Sequence, residues 1–288
     1  MGRTLRRALA VAAVAALPLA GAAMADQEDD YLTCLRAGLA DIEADRQGVL
    51  DACDRVLDTP ELAEDKRVQA LAKRASIYAY ARDFEAAIAD FSAIIAHKPD
   101  DAFAYAGRGN VYLIDGSMAR AIADLDEAIK LDPNFGGAYN LRGLANFYLG
   151  DMGRASADFR RAYKMDLENP YLLLWFYMAE NRAGRGMRAD AELQKGLANL
   201  KLDDWPAPVL ALFLGEVSVH EFLATAPQGN DQAARERRCE IYFYAGEDQL
   251  MAGKPELAAE LFRSVLDTGV DNFKEYRAAT AELARLEK

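Results

Sequence analysis

The sequence predicts an all-α solenoid built from helix–turn–helix hairpins, and three observations carry that prediction. The first is a pattern of period 34 written three times between residues 68 and 169. Ala87, Ala121 and Ala155 keep that spacing, as do Phe91, Leu125 and Phe159, Arg74, Arg108 and Arg142, and Asp90, Asp124 and Asp158. A period of this length marks stacked helical hairpins, none of which can bury its apolar face alone. The second is composition: the chain is rich in Ala, Leu and charged residues, and it lacks strand–turn alternation. The third is punctuation. Gly116 and Gly150 fall where two helices must be joined, and Pro99 and Pro133 fall where second helices must end.

The three regular units run over residues 68–101, 102–135 and 136–169. Their eighth positions are Ala75, Gly109 and Gly143, small enough to let paired helices approach. The large residues Phe91, Leu125 and Phe159 fill the space beside them. These columns resemble the tetratricopeptide repeat (TPR), with Leu167 standing where the family has proline. Residues 26–67, 170–203 and 204–238 read as degenerate hairpins. Residues 239–272 restore the pattern with Gly246, Ala258 and Phe262, and residues 273–288 read as an amphipathic capping helix. In the unit 170–203, positions 7 and 8 are Phe176 and Tyr177, the latter in the small column, and these bulky residues are expected to wedge the helices apart. Between Gly215 and the Ala226–Asp231 loop, Ser218 is placed to cap a short helix carrying His220, Phe222 and Leu223.

Residues 1–25 read as a cleaved secretory signal. Arg3, Arg6 and Arg7 precede an apolar run from Ala8 to Leu19, and Ala23-Met24-Ala25 offers a small-residue cleavage site. No cysteine follows the run, so no lipid anchor is expected, and the mature chain is placed in the periplasm or outside the cell as one repeat domain, residues 26–288. The whole chain has 34 basic and 46 acidic residues, net −12; without residues 1–25 the balance is 31 to 46, net −15. So acidic a chain does not suit nucleic acid or anionic lipid, and it favours solubility and basic partners.

Cys34 and Cys53 lie symmetrically about the polar stretch Glu43–Arg46. A turn there would bring them together across two antiparallel helices, and an exported protein meets an oxidising compartment where the pair would close. The alternative is two buried free thiols. Cys239 is left over, either buried or pairing between chains. The arginine and aspartate columns, in strict register, suggest a ladder of ion pairs within or between hairpins.

No catalytic constellation emerges. His97 and His220 stand far apart and read as structural. No metalloprotease, CxxC, nucleophile-elbow or phosphate-loop pattern occurs. Acidic pairs such as Asp100-Asp101 and Asp203-Asp204 read as caps and loops. No enzyme, metal or cofactor is expected.

The second half resembles one subgroup of the TPR family. Trp205, Leu214 to Ser218, Glu240 to Gly246 and Val270 to Arg277 are similar to the NlpI family of envelope TPR proteins. That resemblance implies a periplasmic adaptor for peptidoglycan hydrolases or a processing protease, and a homodimer. TPR geometry further implies that the first helix of each unit lines a concave face. The positions that would point into it include Tyr80, Phe103, Asn110, Leu113, Ile114, Asn140, Phe147, Tyr148, Tyr171, Asn181 and Arg182, with Glu240, Phe243 and Glu247 from the late repeat. Aromatic rings offer contact area and asparagines offer hydrogen bonds to an extended peptide. The other reading of the aromatics is packing between repeats. Two classes of function follow: an adaptor binding protein or peptide partners, or a homo-oligomeric envelope component or glycan-binding protein.

Overall fold

The computed structural model describes residues 28–198, 200 and 205–288. The leader segment 1–25 and the Asp203-Asp204 pair lie outside the described residues. Among those described, helices are the only regular elements. The described residues group into two compact units, divided between Asp100 and Asp101.

In the first unit, α1 (residues 28–36) and α2 (Leu39–Leu57) precede a regular hairpin of α3 (Glu64–Tyr80) and α4 (Phe84–His97). The single turn expected at Glu43–Arg46 is replaced by two interruptions. The chain leaves the helix at residues 37–38, and again at Asp45, where φ is −148° and ψ is 67°. Each break is capped by a carboxylate. Asp41 Oδ2 accepts the Gly38 N–H at 2.8 Å, and Asp45 Oδ1 accepts the Gly48 N–H at 2.9 Å. Cys34 and Cys53 are joined as a disulfide with a Cα separation of 4.9 Å. Both are fully buried beside Val49, Ala52, Val56, Ala70 and Ile77. Arg82 holds the left-handed conformation (φ 63°) that glycine adopts at the corresponding Gly116, Gly150 and Gly184.

The second unit opens with two regular hairpins: α5 (Ala102–Asp115) with α6 (Met118–Leu131), and α7 (Gly136–Leu149) with α8 (Met152–Met165). Asp101 and Asp151 cap α5 and α8, accepting N–H bonds at 2.9 and 3.1 Å. The small column does what its size predicts. A Cβ on Gly109 would lie 2.9 Å from Leu125, and one on Gly143 would lie 2.8 Å from Phe159. α9 (Pro170–Arg182) and α10 (Gly186–Leu197) form the degenerate hairpin, followed by α11 (Ala207–Phe213) and α12 (Val219–Ala224). Tyr177 stands where the other repeats have Ala or Gly. Its ring stacks on Phe213 of α11, centroids 5.1 Å apart, so the added bulk recruits the irregular segment. Ser218 caps α12 in a reciprocal box with Glu221.

α13 (Gln232–Met251) runs unbroken through the boundary expected at residues 238 and 239, because no turn residue interrupts it. α14 (Pro255–Asp267) completes its hairpin, and a Cβ on Gly246 would lie 2.5 Å from Phe262. α15 (Lys274–Leu286) does more than cap an end: it packs on α14, α13 and also α7.

The arginine and aspartate columns form the expected ladder. Arg74, Arg108 and Arg142 each grip the aspartate sixteen residues on, Asp90, Asp124 and Asp158, through Nε and Nη2 at 2.7–3.0 Å. Arg74 also pairs with Asp54, and Arg142 with Asp126, each on the preceding hairpin. Each rung ties the two helices of a hairpin through a planar fork.

Candidate protein-interaction surface

The residues proposed for the inner face divide into an open group and a covered group. Phe103 on α5 is 72% exposed, and its only ring neighbour among the described residues is Phe135 at 4.6 Å. Asn110, Ile114 and Asn140 are half-buried, while Leu113 is buried. Tyr80, in the first unit, is exposed and its hydroxyl donates to Glu43 Oε1 at 2.7 Å.

From the second half of α7 onward the expectation of an open groove fails. Phe147 and Tyr148 are buried, and Arg182 keeps only 17% of its side chain exposed. Helices α13 and α15 of the same chain fill the space where a peptide was expected. Phe147 meets Trp175 of α9 edge-to-face at 5.0 Å, and Trp175 stacks on Phe243 of α13 at 5.4 Å. The Tyr148 hydroxyl donates to the carbonyl of Lys274 at 3.1 Å, and Arg285 Nη1 donates to the carbonyl of Tyr148 at 2.7 Å. Burial holds the Tyr148 hydroxyl well above the usual tyrosine range. These two residues are therefore part of the packed interior, as aromatic area favours once a facing helix is available.

Arg182 is the centre of a charge cluster. Its Nη1 contacts Glu247 of α13 at 3.2 Å and also Glu282 of α15, while Arg285 pairs with that same Glu282. Glu247 and Glu282 are essentially inaccessible to solvent. Burial, reinforced by the Glu282 charge, pushes Glu247 up to about 7 against the opposing pull of Arg182. One heptad earlier on both helices lies a second carboxylate pair, Glu240 and Glu275. Glu240 is raised to about 7 by burial and by the charge of Glu275. Lys274 Nζ sits 3.8 Å from Glu275 and 4.8 Å from the centre of the Tyr171 ring. Tyr171, half-buried, is raised to about 12 by desolvation and by Glu240. Asn181, half-buried, lies beside Gly186 at the turn after α9.

Sequence reasoning overlooked Glu247 and Glu282 as partners of Arg182, and Lys274 as a partner of Tyr148. A usable signal existed: carboxylates recurring seven residues apart on the faces of α13 and α15 that carry their buried residues, Glu240 with Glu247 and Glu275 with Glu282. Cys239 is fully buried on α13 and burial pushes its thiol up to about 12, which does not suit a bond between chains. His97 lies in the last turn of α4, where a basic group meets the helix carbonyls, and His220 lies in α12. Among the described residues, no group of three or more His, Cys, Asp or Glu is placed to hold a metal ion. No described helix is long and apolar enough to cross a membrane.

Hairpins of this size, joined at a left-handed glycine and interlocked through a small-against-large column, define a tetratricopeptide-repeat protein. Residues 109–150 match the family described as TPR repeat, and residues 136–169 the one described as tetratricopeptide repeat. More particularly, the chain is NlpI-like: it is 33% identical over 123 residues to a lipoprotein NlpI homolog of Haemophilus influenzae, a match covering 42% of this chain. The match spans 39% of that relative's length. Among solved structures, a tetratricopeptide repeat protein from Parabacteroides merdae superposes with a TM-score of 0.56 at 15% identity, covering 90% of this chain and 99% of that one. MamA of Desulfovibrio magneticus RS-1, from residue 41 to its end, gives 0.50 at 18% identity, covering 60% and 92%. At such identities these structures speak for the fold alone.

Proposed function

We propose that this protein is an exported adaptor that holds a segment of a partner protein against the open part of its inner face, on α5 and the first half of α7. The observation that carries this reading is Phe103, a large ring left 72% exposed and propped by Phe135. Half-buried Asn110 and Asn140, on the same face of the repeat, supply the polar contacts an extended backbone needs. The acidic chain favours a basic segment, whose association slows as salt rises. Export is supported by the Cys34–Cys53 disulfide, a bond that persists in oxidising compartments, and by the leader-like residues 1–25. The NlpI-like relative is named a lipoprotein, which favours the cell envelope. Peptidoglycan hydrolases and a processing protease are the partner classes to test first.

The test is a photoreactive side chain at position 103 in native cells, followed by titration of the captured partner against Phe103→Ala. Aromatic anchors dominate interfaces, so the substitution should cost about 1–3 kcal/mol of binding with helicity unchanged. Unaltered affinity would move the site elsewhere. Crosslinks to a second copy alone, or to glycan, would replace the adaptor with the oligomeric or glycan-binding reading.

A further inference from the structure

The seam between α15 and the rest of the second unit brings buried carboxylates together. Its buried apolar side chains are Ala278, Ala279 and Leu283, with Tyr276, Ala281 and Leu286 partly buried beside them. Its polar ones are carboxylates meeting carboxylates at two levels. At the upper level Glu247 of α13 and Glu282 of α15 share the Nη1 of Arg182 from α9, with Arg285 of α15 beside Glu282. At the lower level Glu240 faces Glu275, with Lys274 of α15 3.8 Å from Glu275 and Arg237 of α13 3.6 Å from Glu240. Tyr171 of α9 and Tyr244 of α13 also face this level, the Tyr244 hydroxyl lying 3.3 Å from Glu275 Oε1. The same helix covers α7 through the Lys274 and Arg285 contacts with Tyr148.

We propose that α15 is a lid over the inner face of α7 and α9 that closes as pH falls and loosens as pH rises, because its seam sets buried carboxylates against one another. The proposal extends the reading of the inner face as a binding surface: loosening would lengthen that surface from α5 towards α9. The direction follows from linkage. In the closed seam Glu240 and Glu247 hold their protons up to about 7, whereas a solvated glutamate loses its proton near 4.5. The closed state therefore binds more protons between those values. Its extra stability is complete below the solvated value and is lost as pH rises through the closed-state one.

The lid is tested on the full chain without any partner, by hydrogen exchange corrected for the intrinsic rate at each pH. Amides of α15 should exchange at least about tenfold faster near pH 8 than near pH 5, one pKa unit being worth a factor of ten. Amides of α5–α8 should not follow. Glu240→Gln should reduce that difference, and Glu240→Gln together with Glu247→Gln should remove most of it. Cys239, buried on α13 next to Glu240, gives a second readout at a single pH: near pH 8 a thiol reagent should modify it at least about tenfold more slowly in Glu240→Gln than in the wild type. If circular dichroism shows that Glu240→Gln does not fold, Glu275→Gln carries the same expectations. Exchange of α15 that ignores pH, or that rises only together with α5–α8, overturns the lid, as does Cys239 labelling unchanged by the substitution. Because no partner enters the experiment, failure of the Phe103 site would leave its outcome untouched.

Discussion

The hairpins of α5–α8 and the layer made by α9, α13 and α15 use the same materials, guanidinium–carboxylate pairs and packed rings, to opposite effect. In the hairpins each arginine is half-buried and meets one deeply placed aspartate at a fixed sequence distance, and the arrangement is copied from unit to unit. In the layer a single arginine serves two fully buried glutamates that come from 65 and 100 residues away. The first arrangement is local, repeated and tolerant, since each rung remains in reach of water. The second is non-local and, among the described residues, is not copied from unit to unit. Its desolvation is compensated only while every member is present. Repetition thus distributes risk along the chain, and the layer concentrates it.

The sharpest way to break this comparison is Arg182→Ala, which would leave Glu247 and Glu282 with only Arg285 between them. Removing one partner of a buried ionic cluster typically costs about 3–5 kcal/mol, and urea unfolding should register a loss of that size. A loss below about 1 kcal/mol, the range of exposed pairs, would show that the layer is no different from the ladder.

Next in size is the contrast within one rung. Asp158 is nearly buried and bonded to Arg142 through both oxygens, whereas Asp126, on the same arginine, is 55% exposed. Asp158→Ala should destabilise by about 1–3 kcal/mol, the cost of a charge-assisted bond and an orphaned partner. Asp126→Ala should cost less than about 1 kcal/mol and lose that effect in salt. Equal effects would mean that burial does not govern the ladder.

The smallest expected effect is a gain. Arg82 sits at φ 63° where the equivalent turns have glycine. Arg82→Gly should relieve that strain, offset by the freedom glycine adds to the unfolded chain, for a net gain of up to about 1 kcal/mol. Thermal melting of the variant checks it. A clear loss would indicate that contacts of the arginine, such as its approach to the Phe84 ring at 5.8 Å, outweigh the backbone term.

Much of the fold was legible because repeats reduce it to local rules. Gly109 and Gly143 announce close helix approach, Gly116 and Gly150 announce left-handed turns, and the sixteen-residue step from Arg108 to Asp124 spans one hairpin. The proposed site was legible only at its open end. Phe103 and Asn110 stand where TPR geometry puts them, but Phe147, Tyr148 and Arg182 satisfy the same positional rule and are covered. The rule assumes that each unit meets only its sequence neighbours. α15 violates it by folding back across more than a hundred residues, as the Tyr148–Arg285 bond shows, and α13 by reaching α9 across 65. No period in the sequence encodes the Tyr148–Arg285 contact. The turn expected at Glu43–Arg46 accounts for only one of two breaks, because Asp41 and Asp45 both accept backbone N–H bonds and the chain leaves the helix at residues 37–38 as well as at Asp45.

The ladder also restricts how the length of this chain can change. A helix turns about 100° per residue, so one residue inserted between Arg108 and Asp124 swings the carboxylate away from its fork unless the turn absorbs it. The stretch from Asp126 to Arg142 is under the same constraint, because that pair bridges neighbouring hairpins. Single insertions are then confined to the few turn residues, and larger growth must come in whole hairpins of 34. A duplicated block of residues 102–135 would bring its own rung and its own socket for the next, whereas a block of 33 or 35 would mismatch one of them wherever its change fell inside a helix between the paired residues.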